Sequence, residues 1–333
     1  MRLSAIVLLA SLLPLPAVAS ESYGPRLEGF EYPYPLKTFA VDSQRQALEM
    51  SYLDVAPEGT ARGTVVLLHG KNFCAATWQA TIPSLLAAGY RVIAPDQIGF
   101  CKSSKPVGYQ YSFGQLAANT HALLEHLGVR QAHIVGHSMG GMLAARYALL
   151  YPQATQSLSL VNPIGLEDWK ALGVPWRSVD AWYANELRTT YESIRTYQLD
   201  VYYSGQWKPT FEHWARMQAG MYAGPGRESV AWSQALTSDM VFNQPVVYEL
   251  GNIRVPTSLF IGQKDRTAIG RDLASPELKG RLGDYPALGK AAARAIPGAR
   301  LVEFAGLGHS PQVQDPARFN AALLQSLDDA IAR

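Results

Sequence analysis

Short apolar runs separated by stretches with helical spacing set the texture of most of this chain. Thr64 to Leu68, Arg91 to Ala94, His133 to Val135, Ser157 to Val161, Thr257 to Ile261 and Arg300 to Phe304 are short runs rich in apolar residues, each of which predicts a strand buried on both faces. Two earlier stretches, Leu36 to Val41 and Ala47 to Val55, alternate apolar with polar residues and predict antiparallel strands at a sheet edge. Leu116, Leu123, Leu124 and Leu127 fall at helical spacing behind a cap at Ser112 and before Gly128. Asp315 as cap, with Pro316 at the first helical position, opens a closing helix that puts Phe319, Leu323, Leu327 and Ile331 on one stripe. Strands alternating with helices predict an α/β protein: a parallel sheet with helices on both faces.

From about Leu166 to Asn252 the alternation stops. This stretch is long and helical in texture, and it holds six of the seven tryptophans and seven tyrosines. It predicts a helical cap, residues 166–252, inserted into a core formed by 20–165 and 253–333. Aromatic residues at helical spacing serve first to bury the cap against the core, and some of them to line a pocket beneath it.

The 333 residues are 48% apolar and 17% charged, the composition of a globular enzyme. Net charge is +2 with the basic residues scattered singly, so neither a nucleic-acid stripe nor a polybasic membrane patch is predicted. At the start, Arg2 precedes an apolar run to Leu15, broken by Pro14 and Pro16, and Ala17-Val18-Ala19 follows. That pattern predicts a signal peptide over residues 1–19, cleaved after Ala19, and therefore export to the periplasm or the medium. The run is too short to anchor the chain, and no later stretch is long and apolar enough to span a bilayer.

The chemistry concentrates at Gly136-His137-Ser138-Met139-Gly140, between the run ending at Val135 and a helical pattern ending before Pro152. A serine at a strand-turn-helix elbow is held in strained backbone geometry with its hydroxyl thrust beyond the sheet. The Met139 N–H, at the amino end of that helix, is placed to donate to an oxyanion. A serine hydroxyl needs a base, and the base needs an orienting partner. His309, in Gly308-His309-Ser310-Pro311 after the last strand, and Asp265, after the strand before it, supply both in the order serine, acid, histidine. In an open parallel sheet such strand ends converge. No other histidine follows a late strand, whereas Glu167 and Asp168 are alternative positions for the acid. The loop His69-Gly70-Lys71-Asn72-Phe73-Cys74 should give the second oxyanion N–H, from Lys71 or Asn72, with the Lys71 side chain facing solvent. Metal-ligand spacing and phosphate-binding glycine loops are absent from the sequence, so no metal site is predicted.

With Leu68-His69-Gly70, Ala94-Pro95-Asp96 followed by Gly99-Phe100, Gly136-His137-Ser138-Met139-Gly140-Gly141, the Asp265 turn and Gly308-His309-Ser310-Pro311, the chain resembles the α/β-hydrolase superfamily, in its capped esterase and carbon-carbon hydrolase branch. The resemblance implies an eight-stranded, mostly parallel sheet, a helical cap over the nucleophile and no cofactor. It implies further that the loops bearing Cys74 and Cys101 leave neighbouring strands at one sheet edge. Cys101 stands where similar sequences carry glycine, and a Cys74–Cys101 disulfide follows as an expectation for an exported chain. The expected activity is hydrolysis of a carboxylic ester with an apolar portion, through an acyl-enzyme on Ser138. Carbon-carbon bond hydrolysis, lactonase or aminopeptidase activity on the same triad, or a non-catalytic ligand sensor, are the alternatives.

Overall fold

The computed structural model describes residues 21–332; the expected signal peptide, 1–19, lies outside them. Eight strands form one sheet: β1 (Leu36–Ser43), β2 (Gln46–Val55), β3 (Gly63–Leu68), β4 (Tyr90–Pro95), β5 (Ala132–His137), β6 (Thr155–Val161), β7 (Thr257–Gly262) and β8 (Arg300–Phe304). Their order is β1-β2-β4-β3-β5-β6-β7-β8. β1 pairs antiparallel with β2 and β2 antiparallel with β4, while every later pair is parallel.

Strands β3 to β7 read as apolar runs because both faces are covered; β8 departs from that expectation, because it is the sheet edge, and its Arg300 and Glu303 are exposed with Leu301 and Val302 only half-buried. Val65 and Leu67 face one buried cluster with Trp78, Phe260, Phe319, Leu323 and Leu327. Val66 and Leu68 face the other, with Ile134, Leu143, Leu160 and Ile261. This is the period of two expected of a strand, with apolar residues in both phases.

Helices α1 (Ile82–Ala87), α2 (Phe113–His126) and α3 (Met139–Leu150) link the first strands. Between β6 and β7 lie α4 (Val179–Glu186), α5 (Tyr191–Tyr197), α6 (Glu212–Ala223) and α7 (Arg227–Asn243), with a π-helical turn over Gln198–Tyr202. α8 (Pro276–Arg281) and α9 (Tyr285–Ala295) follow β7, and α10 (Pro311–Gln314) and α11 (Pro316–Ile331) follow β8. Local chemistry sets several boundaries. The Ser112 hydroxyl accepts the Gln115 N–H to open α2, and the Asp315 carboxylate accepts the Arg318 N–H to open α11. No helix among the described residues is long and apolar enough to cross a membrane.

The segment between β6 and β7 uses its aromatic residues in more than one way. Trp169 and Trp214 are buried in the core, Trp182 lines a cavity, and Trp176 is 63% exposed. This segment is also pinned to the loop after β8: the His309 N–H donates to the Tyr202 carbonyl at 2.9 Å. A Cβ on Gly308 would sit 2.4 Å from that same carbonyl oxygen, so only glycine permits the approach.

Candidate active site

Ser138 joins the end of β5 to the start of α3 with φ 57° and ψ −119°, a backbone conformation costly for any residue but glycine. What sustains it is close packing that glycines allow. A Cβ at Gly136 would lie 2.0 Å from the Gly140 carbonyl oxygen, and one at Gly140 would lie 2.3 Å from that of Leu68. The turn therefore brings α3 against the end of β3; the Gly141 and Met142 N–H groups donate to the Ser138 carbonyl, while those of Met139 and Gly140 have no acceptor within the helix.

The Ser138 hydroxyl donates to Nε2 of His309 at 2.9 Å. Nδ1–H of His309 donates to Oδ2 of Asp265 at 2.7 Å. A carboxylate only accepts, so this contact sets the tautomer and leaves Nε2 free to receive the hydroxyl proton. His309 and Asp265 are fully buried and Ser138 is 5% exposed.

Asp265 is itself held by groups that sequence reasoning did not single out. Its Oδ2 accepts from Asn162 Nδ2 at 2.7 Å and its Oδ1 from the Thr267 N–H at 2.8 Å. Asn162 directly follows β6 with a positive φ of 38°, and its Oδ1 accepts the Gly262 N–H. One amide thus braces both the acid and the end of β7. An asparagine closing a strand at positive φ is the one local sign of this role, and such residues are common in turns. The other candidate acids are engaged elsewhere: Glu167 accepts from Trp169 Nε1 and the Gly283 N–H, and Asp168 contacts Lys170 and Tyr248.

His137 provides a second brace. Burial holds its imidazole well below the usual histidine range. The ring is therefore neutral and donates Nε2–H to the His309 carbonyl at 2.9 Å.

Lys71 departs from expectation. Its side chain does not face solvent: only 11% exposed, it turns inward, donating from Nζ to Gln234 Oε1 at 2.6 Å and pairing with Glu186 at 3.3 Å. Glu186 also accepts the Tyr222 hydroxyl at 2.6 Å, and Gln234 Nε2 donates to the Lys71 carbonyl at 3.4 Å. The reason is that α4, α6 and α7 roof this loop, so the ammonium finds acceptors there instead of water. Beside it, Asn72 donates from Nδ2 to the Tyr202 hydroxyl at 2.8 Å.

Cys74 and Cys101 are joined by a disulfide, with Cα atoms 5.9 Å apart, in the loops after the parallel neighbours β3 and β4. Buried Asp96 ties the same two loops, accepting from the Ala75 and Lys102 N–H groups and from the Tyr32 hydroxyl.

Ser138 lies on the wall of a cavity of about 650 Å³ whose roof includes Trp182, Ile194 and Val201. A hydroxyl activated by an oriented imidazole, opening into such a space, has the geometry for attack on a bound carbonyl.

Residues 63–316 match the family model described as alpha/beta hydrolase fold. A crystal structure of a probable hydrolytic enzyme from Pseudomonas aeruginosa PAO1 superposes with a TM-score of 0.91 at 65% identity, over 92% of this chain and 99% of that one. The enol-lactonase of Burkholderia xenovorans LB400 shares the fold at a TM-score of 0.65 and 20% identity, over 84% and 97% of the two chains. A 2-hydroxy-6-oxo-6-phenylhexa-2,4-dienoate hydrolase of Burkholderia cepacia is 39% identical over 118 residues, 34% of this chain and 40% of that protein. The chain spans less than half the length of the curated relatives it matches.

Proposed function

The chain belongs to the α/β-hydrolase family, a family of hydrolases, and from that premise we propose that it cleaves a carboxylic ester through an acyl-enzyme on Ser138. In this reading the Ser138 Oγ attacks the ester carbonyl as His309 Nε2 takes its proton, and Asp265 stabilises the imidazolium. The oxyanion is received by the N–H of Met139 and that of Lys71 or Asn72. His309 then protonates the departing alcohol, and water activated by the same imidazole releases the acid. The observation that carries the reading is the continuous line from Ser138 Oγ through His309 to Asp265, with contacts of 2.9 and 2.7 Å.

Residues 166–252 act as a cap that closes over Ser138. Export is part of the proposal: the pattern in residues 1–19 supports it, and the Cys74–Cys101 bond suits an oxidising compartment. Amino-terminal sequencing of the secreted chain tests this, and a start at Met1 would refute cleavage. A second reading, carbon-carbon bond hydrolysis, is favoured by the match to dienoate hydrolases.

A panel of 4-nitrophenyl esters from short to long acyl chains tests the ester reading, with Ser138→Ala as control. The variant should lose about 10⁴- to 10⁶-fold in kcat. No turnover by the wild type, or equal turnover by the variant, would refute it.

A further inference from the structure

The cavity above Ser138 is lined by five cationic side chains and two anionic ones, an excess of three. The whole chain carries a net charge of only +2. Positive charge is therefore concentrated at this opening, and the partners of each charged group show where it is left uncompensated.

Both acids on the wall are spoken for. Glu186 is shared by Lys71 and the Tyr222 hydroxyl, and Asp272 pairs with Arg177, which also lies 4.3 Å over the Trp182 ring. Arg266, Arg271 and Lys279 remain, all on the stretch that follows Asp265. Arg266 meets Asp284 in a solvent-exposed pair at 3.0 Å, a contact that water and salt screen heavily. Arg271 spends its guanidinium on the carbonyls of Arg266, Lys279 and Leu282, each at 2.6 Å. Those acceptors fix the group in place but carry no charge. Glu167, whose charge Arg271 feels, is committed to the Trp169 and Gly283 N–H groups, and burial raises its pKa. Among the described residues no carboxylate lies within ion-pair reach of Lys279. Arg271 and Lys279 are both half-buried, so their field is directed into the cavity with less screening than at an open surface.

We infer that the substrate carries a carboxylate or similar anionic group at the end remote from its scissile carbonyl, received by the Arg271–Lys279 wall. This deepens the ester reading of Ser138 and rests on it. Guanidinium hydrogens already used on backbone carbonyls make Arg271 a fixed point charge, and the free ammonium of Lys279 supplies the direct contact.

The test compares two esters that differ in one charge: the 4-nitrophenyl monoester of suberic acid and the same compound with its far carboxylate methylated. At low ionic strength kcat/KM should favour the anionic ester by about tenfold or more, and the ratio should shrink toward one at 0.5 M salt. Lys279→Gln should lower the ratio several-fold, and Lys279→Arg should restore it. Equal rates for the two esters at low salt, or a ratio unaffected by salt and by Lys279→Gln, would overturn the inference while leaving the ester reading intact. Calorimetric titration of Ser138→Ala with both esters separates the two ideas. If the wild type cleaves neither ester, the ester reading fails, and tighter binding of the anionic compound still supports the anionic subsite. Equal binding overturns the subsite.

Discussion

Replacing both Cys74 and Cys101 by alanine should lower stability much more than it lowers activity, and the structure says why. The bond closes a loop across a sequence separation of 27. The chain-entropy relation for a loop of that size corresponds to about 3.5 kcal/mol at 25 °C, released when the unfolded chain is no longer cross-linked. In the folded state the two loops remain tied without the bond, because Asp96 accepts N–H groups from Ala75 and Lys102, the residues that follow the two cysteines. The geometry around Lys71 and Asn72 should therefore persist, and kcat should change by less than about threefold, well under the hundredfold typical of losing one oxyanion donor. Equilibrium unfolding in urea of the oxidised protein, the reduced protein and the double variant measures the first quantity, and ester turnover the second. A double variant within 1 kcal/mol of the oxidised protein would refute the loop-entropy argument. A stable variant with severely reduced kcat would show instead that the bond, and not Asp96, shapes the oxyanion loop.

Three other expectations test the rest of the site. Asp265→Asn presents an amide where Asn162, Thr267 and His309 all donate; the histidine should lose its working tautomer, and kcat should fall about 10⁴-fold in steady-state assays with folding intact by circular dichroism. Gln234→Leu removes the two contacts that Gln234 makes with Lys71, leaving the pair with Glu186, and should cost about tenfold in kcat with little change in KM, by loosening the loop proposed to supply the second oxyanion N–H. An unchanged kcat would show that the clamp does not matter. His133, buried against Ser157, has its pKa pushed down to about 4, so the unfolded chain binds the extra proton between about pH 6.5 and 4. The His133 share of stability, about 3 kcal/mol, should be present above that window and be lost as pH drops through it; urea midpoints measured across the range should show a slope smaller by that share in a His133→Gln variant, the remainder belonging to the other buried imidazoles such as His137.

Much of this protein is written in local sequence. Strands packed between two helical layers must be apolar in both phases, so β3 to β7 stand out as runs within windows of a few residues. The caps at Ser112 and Asp315 act within three residues of themselves. Ser138 is marked by its own elbow, because the strain at φ 57° demands glycines at Gly136 and Gly140 close by. Asp265 and His309 could be singled out by their positions after late strands.

What no window contains is the set of contacts made when the segment between β6 and β7 folds back over the sheet. Asn162 reaches Asp265 across 103 positions, and Lys71 reaches Gln234 across 163. A lysine in a glycine-flanked loop reads as solvent-exposed until a roof supplies Glu186 and Gln234, and a pair of helix residues reads as surface until a lysine arrives between them. The cationic excess at the mouth is of the same kind: residues near neutral in linear order become a positive wall only when the 266–279 stretch, Lys71 and Arg177 are set around one cavity. Hydrophobic periodicity and backbone strain are short-range and so are legible from sequence. The pairing of polar groups across the site is long-range, and only the tertiary structure decided it.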